Sequence, residues 1–428
     1  MIKSINPYIL NSLKLSRLTI TRGITLGYFF VLCTAFRPFT IEGKNILLFA
    51  YAALGVGFLL LLNYRSMPKI REWLLSLILF YLIGAALLNL KSSQPLSLVY
   101  SAFFIVSFLI YVPFMQQSLQ VDGYRRLLKT VFIIYFVGLI VGQVYVYGNF
   151  FTAFPNQTGN LTHGTWGTLI ESGIYRYYSL SSEPSYAAFI VITLYYSYIK
   201  LDTQKGSLFK GENLYLFIML VYMILFFQSA YGIILLALIL MGYIGFTKTS
   251  VLIYFLSLCV GLIVVMVGIE FGPVTRIIKI IENIDLTNLH GLSSIDFSVY
   301  FRIAPLIHYI RESSIMDISF YIGHGAAASR KFVVPETYLA YQGDFLGGFI
   351  PSFFYDYGII GAGLLLLFVW RLLPGVFSIP TAIVALVLFN ANINTQLFWI
   401  ILTCLAINKH FLLGYKRREK VFAEHKSV

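Results

Sequence analysis

Twelve apolar stretches recur along this chain, each close to the length of a helix that crosses a bilayer, and that rhythm constrains the fold more than any other feature. They fall at about 22–37, 45–63, 73–90, 96–115, 127–147, 184–200, 213–229, 230–247, 250–269, 346–370, 375–390 and 396–413. Charged residues make up 11% of the chain and hydrophobic ones 58%, against about 25% charged in an ordinary soluble domain. Surface-to-volume scaling does not let a soluble fold of 428 residues hide so much apolar area in one core. With 38 Phe and 31 Tyr, the chain must also bury apolar surface, which excludes disorder. The expectation is an all-α, polytopic membrane protein with about 12 transmembrane helices, forming a single transmembrane domain over residues 1–428.

The formal net charge is +13, but its placement reads as topology. With both termini in the cytoplasm, the inner loops take 21 of the 31 Lys and Arg and 6 of the 18 Asp and Glu, leaving 10 basic and 12 acidic residues outside. Basic loops resist translocation, so this orientation is the expected one, and the basic excess is not a nucleic-acid footprint. The first span lacks a small-residue cleavage site and is read as retained, not as a signal peptide. Cys33, Cys259 and Cys404 all fall within spans, where free thiols behave as small hydrophobes. Neither a disulfide framework nor a metal-type Cys/His spacing is implied, and no cofactor is expected.

Two outer segments are long, at 148–183 and 270–345; connections of that size usually have a function. The second contains two amphipathic patterns. Pro273 to Ile284 separates Ile277, Ile278, Ile280 and Ile281 from Arg276, Lys279 and Glu282, as an interfacial helix would. Ser298 to Glu312 repeats Val299, Ile303, Leu306 and Ile310 at helical spacing, with Arg302 and Tyr309 on another face and a kink or first turn at Pro305. Within the fifth span, Gly138 and Gly142 form a small-xxx-small pair, read as close packing inside the bundle over a dimer contact.

The centres of the spans contain no Asp, Glu, Lys or Arg. Ion-coupled carriers usually hold such groups near the midplane, so this distribution counts against one. The outer segments instead gather Arg176, Glu183, Arg276, Arg302, Arg311, Arg330 and Lys331 among Tyr175, Tyr177, Tyr178, Tyr186, Tyr300, Tyr309 and Tyr321. Guanidinium forks suit phosphate oxygens, and tyrosine faces suit sugar rings; a solvated loop with interfacial aromatics is the competing reading. Pro184 is a good first helical residue, which puts Glu183 at the mouth of the sixth span, as a cap or as a catalytic carboxylate. His324 sits between Gly323 and Gly325, where backbone can approach a ligand closely, or where a turn simply needs glycines. Asp356, in Tyr355-Asp356-Tyr357-Gly358, is an acid beside an apolar segment, at a helix end. There is no phosphate-binding glycine loop, no H-E-x-x-H and no Asp-x-Asp pair, so nucleoside triphosphate hydrolysis, zinc hydrolysis and metal-dependent sugar transfer lack support.

In this order the features resemble the bacterial O-antigen polymerase (Wzy-type) and O-antigen ligase superfamily. The matching residues are Arg176, Ser179 and Glu183-Pro184-Ser185 before a span, Gln228-Ser229-Ala230-Tyr231-Gly232 between two spans, Ser298 with Arg302, Gly323-His324-Gly325, and Asp356-Tyr357-Gly358-Ile359-Ile360-Gly361. The resemblance covers about 170–370; the first five spans match in number and hydropathy alone. Ligases carry a His-Asn pair where this chain has Gln342-Gly343-Asp344, a departure that favours polymerase over ligase.

The resemblance implies a fold like the glycosyltransferase C superfamily and a metal-independent transfer at the outer face of the bacterial inner membrane. A glycan on undecaprenyl pyrophosphate would pass to a sugar hydroxyl of another lipid-linked repeat, building lipopolysaccharide, capsule or a related polysaccharide. Implied partners are that lipid-linked oligosaccharide, membrane lipid, and chain-length regulator and flippase proteins, with no nucleic acid. Arg176 and Arg302, then Arg330, would bind the pyrophosphate, and Glu183 or His324 would act as base or orient the acceptor. Tyr177, Ser179, Tyr309, Asp356 and Tyr357 would support them. A ligase acting on lipid A core, a flippase for the same lipid, and a structural subunit of the assembly complex remain the alternatives.

Overall fold

The computed structural model describes residues 7–34, 40–41, 44–64, 68, 72–147, 167–169, 175–177, 179–181, 183–202, 211–244, 309–310, 314–331 and 352–426. Its helices are α1 (Pro7–Cys33), α2 (Ile46–Asn63), α3 (Trp73–Leu88), α4 (Pro95–Ser118), α5 (Val121–Tyr147), α6 (Pro184–Lys200), α7 (Gly211–Phe227), α8 (Ala230–Ile244), α9 (Ile318–Ile322), α10 (Phe354–Leu372), α11 (Ile379–Leu388) and α12 (Gln396–Lys426). A helix therefore lies over eleven of the twelve apolar segments read from the sequence; the ninth, 250–269, is outside the described residues. Among the described residues, four helices are long and apolar enough to cross a membrane: Pro95–Ser118, Val121–Val144, Phe354–Leu372 and Gln396–Gly414. Five further apolar helices are shorter. This is the helical, apolar architecture of a membrane protein.

The all-α expectation needs one amendment. Two small antiparallel hairpins are present, β1 (Thr40–Ile41) with β2 (Lys44–Asn45), and β3 (Gly167–Leu169) with β4 (Tyr175–Tyr177). The second belongs to the first long outer segment and pairs Thr168 with Arg176. The amphipathic helix expected at 273–284 lies outside the described residues, as does most of 298–312. At Tyr309–Ile310, which is helical, Tyr309 is buried and Ile310 is exposed.

Lipid tails are as apolar as leucine, so helices in a bilayer associate through close packing and hydrogen bonds more than through hydrophobic exclusion. Both are visible here. Trp399 of α12 stacks on Phe104 of α4 with centroids 6.2 Å apart, while Phe368 of α10 meets Phe108 edge-on. Gly27 and Gly55 leave room for the hydroxyls of Tyr51 and Tyr111, which donate to the carbonyls of Ile24 and Ala52. Gly138 of α5 does the same for Ser179, whose Oγ would collide with any added Cβ and donates to the Tyr135 carbonyl at 2.6 Å. That glycine serves packing inside the bundle.

The two ends of the bundle differ in chemistry. At one end Arg17 bonds Asn63, Arg22 reaches the Ser118 carbonyl, Arg125 pairs with Asp202 at 3.5 Å and Lys129 pairs with Glu212. The Lys129 ammonium holds the Glu212 carboxyl below the usual carboxylate range. At the opposite end several helices are joined by uncharged hydrogen bonds. Tyr186 donates to the Asn390 carbonyl, Asn394 to Ser97, and Tyr135 to the Cys33 carbonyl. There Gln396, the first residue of α12, donates to the carbonyls of Val31 (2.9 Å), Leu32 and Thr34 (3.1 Å), which end α1. Terminal helix carbonyls left without donors are costly where water is scarce. Replacing Gln396 by Leu is expected to lower stability by about 1–3 kcal/mol, read as an earlier midpoint in thermal or detergent unfolding of the purified protein.

Candidate functional site

The most developed polar assembly among the described residues surrounds Gly323-His324-Gly325, and its origin is a fault in α10. Gly358 has φ 62° and ψ −174°, a conformation that breaks the helix after one turn. A broken helix exposes backbone carbonyls. Here three consecutive ones find partners elsewhere: the Tyr355 carbonyl accepts from His324 N at 3.0 Å, that of Asp356 from Gly325 N at 2.9 Å, and that of Tyr357 from the Tyr81 hydroxyl at 2.9 Å. The glycine loop thus docks edge-on against the interrupted helix.

Two glycines make the docking possible. A Cβ on Gly323 (φ 79°) would lie 2.3 Å from the Asp356 carbonyl oxygen, and a Cβ on Gly358 would lie 2.3 Å from that of Tyr321. The close approach expected of Gly323-His324-Gly325 is real, but it is made to α10 and to the α3–α4 turn. Gly325 (φ 103°) faces Ser93 and Asn89 of that turn. Its residues complete the clamp: Ser92 donates to the His324 carbonyl, Asn89 to that of Gly323 at 3.4 Å, Gln94 N to that of Ala326 at 2.8 Å, and Ala326 N to Ser93 Oγ at 3.2 Å.

Asp356 is the charged member of this assembly and is only 4% exposed. Its Oδ1 accepts from Ser329 N at 2.8 Å and its Oδ2 from Ala327 N at 3.1 Å. The carboxylate caps from outside the 3-10 turn Ala328–Lys331, which holds Arg330. Over 323–329 every residue is buried except His324, which is partly exposed. Its Nδ1 lies 3.1 Å from the Tyr355 carbonyl. A carbonyl can only accept, so Nδ1 is the donor in this contact, which in the neutral form of the ring puts the lone pair on Nε2. The imidazole also stacks on Tyr355, centroids 4.1 Å apart and planes 9° from parallel, and Tyr309 meets Tyr355 edge-on at 5.8 Å. What results is a histidine held by its backbone, its ring stacking and the Nδ1 contact to the Tyr355 carbonyl.

Of the residues singled out in the sequence, the fold brings together His324, Asp356 and Tyr309. Glu183 is the residue before α6, exposed, with Pro184 opening the helix as expected. Its side chain makes no capping bond; Oε2 accepts from Ser185 Oγ at 3.4 Å. Tyr177 and Tyr357 are each 2% exposed, and their rings pack against Phe226 and Phe353, so neither offers an open face to a sugar. Ser179, with φ 50°, is buried on α5 through its bond to Tyr135. Arg302 lies outside the described residues; Arg176 is on β4 and Arg330 in the 3-10 turn, in both cases with a side chain outside the description. Among the described residues no group of His, Cys, Asp and Glu could hold a metal ion. Sequence reading did not single out Ser92, Ser93, Asn89 or Tyr81, which reach the loop from more than 200 residues away in the chain.

No protein-family model, no curated protein and no solved structure matches the chain. Its site is therefore read from geometry and residue chemistry.

Alanine at Gly358 or Gly323 should unseat the loop. Each substitution forces a side chain into a backbone conformation worth about 1–3 kcal/mol of strain, before the collision with the facing carbonyl. Both variants are expected to unfold at lower temperature than the parent, with faster hydrogen exchange at His324 N and Gly325 N, whereas alanine at Gly363, beside which nothing lies within 4 Å, should leave both measurements near the parent values.

Proposed function

We propose that the protein is a metal-independent membrane glycosyltransferase that polymerises polysaccharide repeats at the outer face of a bacterial inner membrane. In this reading the donor is a glycan on undecaprenyl pyrophosphate, and the acceptor is a sugar hydroxyl of a second lipid-linked repeat. Twelve spans, both termini in the cytoplasm and a fold like the glycosyltransferase C superfamily complete it. Chain-length regulators and flippases are its natural partners.

The observation that carries the reading is His324: the partly exposed residue of an otherwise buried loop, its Nδ1 donating to the Tyr355 carbonyl. It stands at the bundle end opposite the basic cluster of Arg17, Arg22, Arg125 and Lys129. Basic residues favour the cytoplasmic side, which supports an outer position for the histidine, the side on which this reading has lipid-linked repeats joined. Glu183 opens α6, which starts from that same end. Pyrophosphate is a good leaving group once its charge is neutralised, and the guanidinium groups of Arg176, Arg302 and Arg330 are suited to that without a metal. His324 or Glu183 would then take the proton of the attacking hydroxyl. An isoprenoid tail stays in lipid while its head group reaches this rim.

Two measurements test the reading. Arg176→Ala and Arg302→Ala should each abolish long-chain polysaccharide while the protein stays in the membrane, and Arg→Lys should also impair it, because a point charge cannot reproduce a two-pronged contact. Normal ladders from both alanine variants would remove these residues from the mechanism. Reconstituted with purified lipid-linked repeats, the protein should lengthen chains with no potential across the membrane. Transport without elongation would favour a flippase, and transfer to lipid A core alone a ligase.

A further inference from the structure

We infer that Asp356 is a positioning residue that acts through His324, holding the loop so that the imidazole keeps one tautomer and one orientation. The inference rests on the reading of His324 as the group that meets the acceptor. A histidine on a free glycine loop would sample many orientations and exchange its ring hydrogen between nitrogens. Asp356 removes that freedom from three directions: its carbonyl accepts from Gly325 N, Oδ2 from Ala327 N and Oδ1 from Ser329 N. The neighbouring residue, Tyr355, supplies both the carbonyl that takes Nδ1–H and the ring on which the imidazole stacks. Residues 355 and 356 together therefore fix the histidine backbone, its ring plane and its hydrogen. A buried carboxylate is needed for this, since it offers two acceptor oxygens and no donor to two converging N–H groups. A carboxamide presents one oxygen, and its NH2 would face a backbone N–H.

The test uses the full chain in lipid nanodiscs and two readouts. In the first, 15N-histidine spectra assign the His324 ring by its loss in His324→Gln. The parent should show the Nδ1–H tautomer, and Asp356→Asn should shift the ring toward a mixture with the Nε2–H form. In the second, elongation of purified lipid-linked repeats is measured for Asp356→Asn, His324→Gln and the double variant. Misplacing a reacting group by about 1 Å costs on the order of a hundredfold in rate, and a loss of that order is expected for Asp356→Asn. Added to His324→Gln, the same change should lower the remaining rate less than twofold, because the residue it positions is gone. A purely structural role would lower both backgrounds equally, and that result, or an unchanged tautomer in Asp356→Asn, overturns the inference. Asp356→Glu, which keeps the charge but moves both oxygens, is read in the same two ways should the amide variant fail to assemble. If the parent itself elongates nothing, the polymerase reading fails, while the spectra still decide whether Asp356 sets the ring.

Discussion

The interruption of α10 at Gly358 is the constraint on which this end of the bundle depends. An unbroken helix would satisfy its own carbonyls and present a smooth cylinder to α3 and to the loop. Because it breaks, the carbonyls of Tyr355, Asp356 and Tyr357 turn into a short acceptor edge, and the loop after α9 and the Tyr81 hydroxyl complete it. Backbone-to-backbone contact of this kind needs both partners stripped of Cβ at the closest point, which Gly323 and Gly358 supply to each other. Everything attributed to His324 follows from that meeting.

The neighbouring helices brace that edge. The α3–α4 turn, which grips the loop from its other side, is anchored by α4, whose aromatic residues pack against Trp399 of α12. α12 in turn is fastened to α1 by Gln396. In an apolar solvent such hydrogen bonds are few, and each one made between distant helices fixes their relative depth. Among the described residues the ion pairs lie at the opposite end, where Arg125, Asp202, Lys129 and Glu212 tie α5 to the α6–α7 turn.

How much of this was legible in the sequence depends on the distance over which each signal acts. Apolar runs are local, and a helix stands over each of those within the described residues. Pro184 opening α6 was readable for the same reason. The hairpin of β3 and β4 was missed because strands of three residues are too short to show alternation. His324 and Asp356 were each visible as unusual residues, but nothing local said that the loop after His324 would seat on the Asp356 carbonyl and carboxylate. Tyr355 was overlooked because a tyrosine beside an apolar helix in a chain with 31 of them carries no signal. The burial of Tyr177 and Tyr357 was not readable either: nothing local says that their rings pack against Phe226 and Phe353.

The seat of Ser179 against Gly138 has a consequence for how such chains can diverge. The serine hydroxyl occupies the space that a larger residue on α5 would need, and its own backbone is held at φ 50° to get there. Neither position can drift alone: bulk gained at one must be matched by bulk lost at the other. In a lineage of related chains the two sites should evolve as a linked pair, and the strand-to-helix corner they secure should keep its length while the outer segment before it grows or shrinks.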